Sequence, residues 1–114
     1  MKTNEIFNLR DLSVRAFDDA PGLINALRRN RIVSCWGADK WSMVSTDVTR
    51  EVKAIRFKSN GYLHKGLVYI TVNGLDLFDI YLTTLEGKLK SKTSDIYLED
   101  LIEQIDLLVE TKRR

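Results

Sequence analysis

The sequence predicts a single α+β domain in which an antiparallel five-stranded meander sheet is flanked by an N-terminal helix and packed against a C-terminal amphipathic helix. The chain has 114 residues, the length of one domain. Its apolar residues follow helical spacing towards the two ends, whereas β-rich runs separated by glycines fill the middle. The domain therefore spans residues 1–114, with residues 1–19 as an N-terminal extension that has no clear pattern.

The N-terminal part predicts two helical segments. Residues 3–17 mix several spacings, which fits a short helix from Glu5 to Leu12 followed by an extended piece. A clearer helix is predicted from Ala20 to Arg29. Asp18-Asp19 supplies a capping carboxylate and Pro21 a first-turn proline, and the segment ends on basic residues that face the negative end of the helix dipole.

The middle of the chain predicts five strands, which are Arg31–Trp36, Trp41–Ser45, Val52–Lys58, Gly66–Val72 and Leu75–Thr83. Asn73-Gly74 joins the last two strands and is the strongest hairpin signal in the chain. A two-residue loop would set Ile70 opposite odd-numbered residues. A three-residue loop with a left-handed Gly74 gathers one apolar face from Val68, Ile70, Phe78, Ile80 and Leu82, and for that reason we favour it.

The last helix is predicted to begin near Ser94 to Tyr97 and to run to about Thr111. Its apolar positions follow the i, i+3, i+4 template and comprise Leu98, Leu101, Ile102, Ile105, Leu108 and Val109. This face is expected to form the core with the even-numbered face of the hairpin. The opposite face of the sheet is then open, and it carries Leu67, Tyr69, Thr71, Leu77, Asp79 and Tyr81.

Composition argues against an enzyme, a metal site, a cofactor or a small-molecule substrate. With one Cys and one His, the chain can form neither an internal disulfide nor a structural zinc site, and it has no phosphate loop or G-x-S-x-G motif. Cys35 is expected to be a small buried hydrophobe and His64 a turn residue. The longest uncharged stretch, residues 66–75, is half the length of a membrane span, so the sequence favours a soluble, unprocessed cytoplasmic protein.

Charge is distributed unevenly, which suggests a protein partner. Residues 24–66 hold nine basic and three acidic side chains, whereas residues 76–110 hold nine acidic and three basic ones. On a helical wheel, an acidic strip is formed by Glu99, Glu103, Asp106 and Glu110, and Leu107 lies on the same polar side. A solvated face is the simpler explanation. Otherwise, the strip and the open face (Tyr69, Leu77, Tyr81) predict a non-enzymatic protein-interaction module that binds a basic protein or self-associates as a homodimer.

The alternative is a single-stranded nucleic-acid-binding protein. Cations interleaved with aromatic rings hold such strands by phosphate neutralisation and stacking. The candidate residues are Arg56, Lys58, Trp36, Trp41 and Tyr62, beside Tyr69 and Tyr81. The net charge of only +2 argues against this reading, and two tryptophans around a turn are more often a corner of the core.

Several turn and core motifs resemble a loose group of short, uncharacterised proteins encoded by bacteriophages and integrated elements. They are Asn30-Arg31-Ile32-Val33, Gly37-Ala38, the hairpin from Tyr69 to Phe78, and Asp95-Ile96-Tyr97 before the last helix, and together they cover roughly residues 22–110. Members share a helix, a strand ending in Gly-Ala, an Asn-Gly hairpin and a closing helix. The resemblance carries no catalytic residue across. It implies an accessory protein of a mobile element in a bacterial cytoplasm.

Overall fold

A computed structural model of the chain describes residues 6–9, 14–17, 19–45 and 51–110. Within these residues, five strands form one antiparallel sheet in the order β1-β2-β3-β4-β5, so the predicted α+β class and five-stranded meander are confirmed. The elements in chain order are α1 (Ala20–Arg29), a 3₁₀ turn (Val33–Trp36), β1 (Asp39–Val44), β2 (Ala54–Asn60), β3 (Lys65–Val72), β4 (Phe78–Thr83), β5 (Leu89–Ile96), a second 3₁₀ turn (Leu98–Asp100) and α2 (Leu101–Val109).

Helix α1 has the predicted bounds, and its ends explain them. The Asp19 carboxylate accepts a hydrogen bond from the backbone N–H of Gly22 (3.1 Å), which satisfies one of the free donors of the first turn. Pro21 lies in the first turn, where a backbone N–H has no acceptor within the helix, so the N–H that proline lacks is not missed. Two arginines lie in the last turn, at the negative end of the helix dipole. The helix buries Ile24 and Leu27 against the sheet.

The predicted strand Arg31–Trp36 is wrong, because Val33–Trp36 forms a 3₁₀ turn. Side chains three residues apart lie on the same side of a 3₁₀ helix, so Val33 and Trp36 both enter the core. Cys35 lies between them and is exposed, contrary to the expected buried position. Gly37 then reverses the chain with φ +62°, a backbone conformation that glycine adopts without strain.

The fifth strand comes from a segment that the sequence did not indicate. Strand β5 pairs with β4 at the edge of the sheet, and the buried side chain within it is Ile96. An edge strand of lysines and serines has no alternation of apolar residues to reveal it, although such a composition protects a free edge from unwanted pairing. The other four predicted strands are present; two of their ends are as predicted and the others shift by one to three residues.

The hairpin between β3 and β4 confirms the favoured pairing. Ile70 lies opposite Ile80 and Val68 opposite Leu82, so the even-numbered residues share one face. The left-handed residue of the loop is Asp76 (φ +64°), however, and not Gly74. Asn73 explains the loop, because its side-chain oxygen accepts from the backbone N–H groups of Leu75 (2.8 Å) and Leu77 (3.2 Å), as asparagine does in turns.

The core lies between the two helices and the sheet face that carries the even-numbered hairpin residues, and the predicted packing of the last helix on that face is confirmed. Helix α2 begins later than expected, because the chain is still in β5 as far as Ile96. The residues that α2 buries deeply are Leu101, Ile105 and Val109, four residues apart. Leu98 is 61% exposed, so its predicted core position is wrong. Three further predicted core residues are only half-buried at the margin, and they are Phe78, Ile102 and Leu108.

The opposite sheet face is covered, so the prediction of an open apolar face is wrong. The ring of Phe7 packs on Tyr69 and Tyr81, and Tyr81 is only 3% exposed. Ile6 forms an isolated β-bridge with Lys88, so residues 6–9 are not the predicted α-helix; Glu5 and residues 10–12 lie outside the described residues. Arg15 bridges to Val72, which agrees with the predicted extended piece.

Neither described helix has the length and apolarity that crossing a membrane would require.

We expect Ile105→Ala to lower the free energy of unfolding by about 2–5 kcal/mol, because it leaves a cavity at a fully buried position. Leu107→Ala on the same helix is the matched control and should cost less than about 1 kcal/mol, since half of its side chain is exposed. Urea unfolding of both variants measures the difference. Equal losses would contradict the orientation of α2.

Candidate functional site

Trp36 fixes the position of α2. Its side chain is fully buried and stacks on Phe57, with ring centroids 5.8 Å apart. The indole Nε1–H donates a hydrogen bond to Asp106 Oδ1 at 3.0 Å, so a carboxylate of α2 turns towards the core. A buried indole donor needs a partner, and an ionised acceptor makes a stronger bond than a neutral one. Asp106 is therefore a structural residue, and its predicted place on a free acidic strip is wrong.

Glu110, like Asp106, is an acceptor within the fold and not part of a free acidic strip. Its Oε1 accepts from the backbone N–H of Tyr62 at 3.0 Å, in the turn between β2 and β3. The same turn binds the end of α2 a second time, because the N–H of Leu63 donates to the carbonyl of Val109 at 2.8 Å. The turn thus satisfies backbone and side-chain acceptors at the C-terminus of the helix. Of the four predicted acids, Glu99 and Glu103 remain exposed.

These two glutamates border a groove that we call the acidic groove. Its lining residues are Asn30, Ile32, Glu99, Ile102, Glu103, Asp106 and Leu107, and its volume is about 540 Å³. The groove exists because α1 and α2 each pack on the 3₁₀ turn Val33–Trp36 and hardly touch each other. Leu107 is 49% exposed, as predicted, and Ile32 is 42% exposed. Ile32 was missed because its segment was assigned to a strand.

The opposite sheet face carries a row of cross-strand neighbours that we call the aromatic row. Arg56 lies opposite Tyr69, Tyr69 opposite Tyr81, and Tyr81 opposite Lys92. The Lys92 ammonium is 5.5 Å from the centroid of the Tyr81 ring, within the range of a cation–π interaction. Burial raises the pKa of the Tyr81 phenol, so this ring stays neutral at physiological pH.

The predicted nucleic-acid residues do not share one surface. Trp36 is buried and Trp41 stacks on Phe57 at 4.4 Å, so both belong to the helix side of the sheet. The exposed ring of Tyr62 belongs to the turn at the end of β2. Arg56 and Lys58 alternate with the core residue Phe57 and lie on the opposite face, both half-buried. Leu77, from the predicted open face, is half-buried in the hairpin loop.

A second cavity, of about 460 Å³, lies beside the N-terminal end of α1. Phe17, Leu23, Phe78 and Leu98 form its apolar walls. Its charged groups already have partners: Arg15 pairs with Asp76 at 2.6 Å, and Asp19 caps α1. Across the described ranges, no three His, Cys, Asp or Glu side chains come together as metal ligands would.

His64 is buried, with both ring nitrogens engaged. Nε2 lies 3.1 Å from the carbonyl oxygen of Leu67, which makes it the protonated nitrogen, and Nδ1 accepts from the ammonium of Lys90 at 3.2 Å. Burial lowers the pKa of His64 below its usual 6.5; the bond to Leu67 opposes this shift and the Lys90 charge adds to it. A neutral ring that accepts from a cation is structural here, and its place in the turn after β2 agrees with the prediction.

No protein-family model, no curated protein and no solved structure matches the chain. A function is therefore inferred from the chemistry of the acidic groove and of the aromatic row.

We expect Asp106→Ala to lower the free energy of unfolding by about 1–3 kcal/mol, because it leaves the buried Trp36 indole N–H without this acceptor. Glu103→Ala removes an equal charge from the same helix at an exposed position and should change stability by less than about 0.5 kcal/mol. Urea denaturation compares the two variants. If both cost the same, Asp106 is a surface acid after all.

Stability should also fall in mild acid. Because the pKa of His64 is lowered in the folded state, the unfolded chain binds more protons as pH drops through about 6.5. The contribution of the neutral ring is complete above about pH 7.5 and is lost progressively below pH 6.5. His64→Gln, which keeps a donor and an acceptor, should flatten the dependence between about pH 7.5 and 5 in urea titrations. An unchanged slope in this variant would show that other groups cause it.

Proposed function

We propose that this chain is a non-enzymatic protein-interaction module that binds a basic amphipathic helix in the acidic groove. The observation that carries the proposal is that one groove is lined by apolar side chains together with acidic ones and by no cation. Ile32, Ile102 and Leu107 offer an apolar floor, and Glu99 and Glu103 border it. An amphipathic helix that buries one apolar face in a groove is a recurrent mode of recognition.

The apolar floor supports a protein partner. Single exposed hydrophobic residues are common on folded proteins, but clusters of them beside polar groups mark interaction sites. Ile32 and Leu107 come from different elements, and the gap between α1 and α2 brings them to one cavity. A ligand helix with apolar residues three and four positions apart matches such a narrow floor.

The charge of the groove supports a basic partner. Its lining residues include three carboxylates and no cation. Asp106 holds the Trp36 indole, so Glu99 and Glu103 are the two that face solvent. Lysines on a partner helix would pair with these two acids, which lie in the second 3₁₀ turn and in the first turn of α2.

A second copy of the chain is one source of such a helix, and the resemblance of the sequence to mobile-element proteins suggests a bacterial cytoplasm as the setting. The exposed thiol of Cys35 suits a reducing compartment of that kind. In that setting we propose the role of an accessory protein, with a host protein or a second copy as the partner.

A synthetic Leu/Lys amphipathic peptide of about 18 residues, or five helical turns, tests the proposal. Fluorescence polarisation should detect binding that weakens roughly tenfold in the double variant Glu99→Lys, Glu103→Lys, because attraction becomes repulsion at both positions. A Leu/Glu peptide of the same length should not bind. Light scattering on the same samples reports whether the chain itself is a dimer.

Glu86→Lys is the matched control, since it makes the same kind of charge change at an exposed position in the loop between β4 and β5. Its affinity for the Leu/Lys peptide should stay within about twofold of the parent. The proposal fails if Glu86→Lys weakens binding as much per charge as the groove variants, or if the Leu/Glu peptide binds equally well.

A further inference from the structure

The aromatic row has the arrangement of a stacking platform. Two tyrosine rings are neighbours on strands β3 and β4, with Arg56 on one side and Lys92 on the other. Lys58 adds a third cation on the same face, two residues from Arg56. Aromatic rings that receive bases, flanked by cations that neutralise phosphates, are how sheets hold single strands.

A side chain of the protein already occupies this platform. The ring of Phe7 lies 4.5 Å from Tyr69 and 4.9 Å from Tyr81, centroid to centroid, and is tilted by 45° to each. These separations are typical of attractive aromatic pairs. An aromatic group therefore packs on both tyrosines at once, on the surface that a base would contact.

Among the described residues 6–9 and 14–17, two isolated bridges join the backbone to the sheet, and Leu9 is buried. Ile6 and Arg15 each form an isolated β-bridge, at the β4–β5 loop and at the end of β3, rather than a continuous ladder. Backbone bonds from Phe7 to Gly87 and from Arg15 to Val72 accompany the bridges. Segments held by few bonds open locally at a lower free energy than core strands.

The local charge favours a polyanion. The aromatic row has two cations at its ends, and among the acids nearby Asp79 is buried, where it accepts from the side chain of Asn73 (2.9 Å) and the N–H of Asp95 (3.0 Å). Asp39 lies opposite Lys58 at the far corner of the sheet. The aromatic row therefore carries a cation at each end, and Asp79, the acid beside Tyr81, is buried and hydrogen-bonded.

We infer that the aromatic row is a latent binding site for single-stranded nucleic acid, and that the ring of Phe7 occupies it until a strand displaces this ring. The inference is independent of the acidic groove, because the row and the groove lie on opposite faces of the sheet. A closed platform reduces the apparent affinity by the fraction of molecules that are open. Weakening the hold of Phe7 should consequently tighten binding.

The test uses a fluorescein-labelled oligothymidylate of about 12 nucleotides, a length within the usual site size, at about 50 mM salt. Fluorescence polarisation should show weak binding by the parent and about tenfold tighter binding by Phe7→Ala. Ile6→Ala, at an exposed neighbour in the same segment, should bind like the parent. Circular dichroism confirms that each variant is folded, and Phe7→Leu replaces Phe7→Ala if the latter is not.

Charge reversals identify the surface that binds. In the Phe7→Ala background, Arg56→Glu with Lys92→Glu should return the affinity to the parent level or below. Arg28→Glu with Arg29→Glu makes the same change in net charge on α1 and should retain most of the gain. The inference is overturned if Phe7→Ala binds no tighter than the parent, or if the two charge reversals are equally damaging.

Discussion

The hydrogen bond between the Trp36 indole and Asp106 is the constraint on which the arrangement of the helix layer depends. It joins the 3₁₀ turn after α1 to the middle of α2, above the ring of Phe57 on β2. Apolar packing alone would tolerate rotation of a short helix, whereas a buried donor and acceptor have one satisfactory geometry. With Asp106 turned inward, Glu103 and Leu107 on the neighbouring faces of α2 are directed to the surface.

The two faces of the sheet are packed against different kinds of side chain. On the even-numbered face, two helices and a 3₁₀ turn close over a continuous apolar core, and they leave an acidic groove between them. On the other face, the ring of Phe7 packs on Tyr69 and Tyr81, and cations flank these two tyrosines.

Much of the fold could be predicted because local signals agree with the tertiary structure. Capping and proline signals located α1, and the demand for one apolar face set the pairing of β3 with β4. The segment from Arg31 to Trp36 was wrongly predicted as a strand because Ile, Val and Trp favour strands. Its 3₁₀ turn instead depends on the burial of Trp36. Strand β5 could not be predicted from its pattern. It is an edge strand, paired with β4 alone, and its polar side chains lack the alternation that reveals a half-buried strand.

The candidate sites were predicted only in part, for a related reason. A helical wheel places Asp106 beside Glu103 by angle, but it contains no information about a tryptophan 70 residues away that needs an acceptor. Likewise, no pattern in residues 1–19 indicated that Phe7 would cover the sheet. Leu107, Glu99 and Glu103 were correctly assigned to the surface because their exposure follows from the helix period alone.

Hydrogen exchange of the Trp36 indole N–H, followed by NMR, tests most directly the claim that this bond organises the helix layer. The chain has two tryptophans, and Trp41 provides an internal comparison because its ring is only partly buried. We expect the Trp36 indole proton to exchange only on global unfolding, with a protection free energy equal to that of the slowest backbone amides of β3. Exchange of the Trp36 indole proton as fast as that of Trp41 would show that the bond to Asp106 does not organise the helix layer.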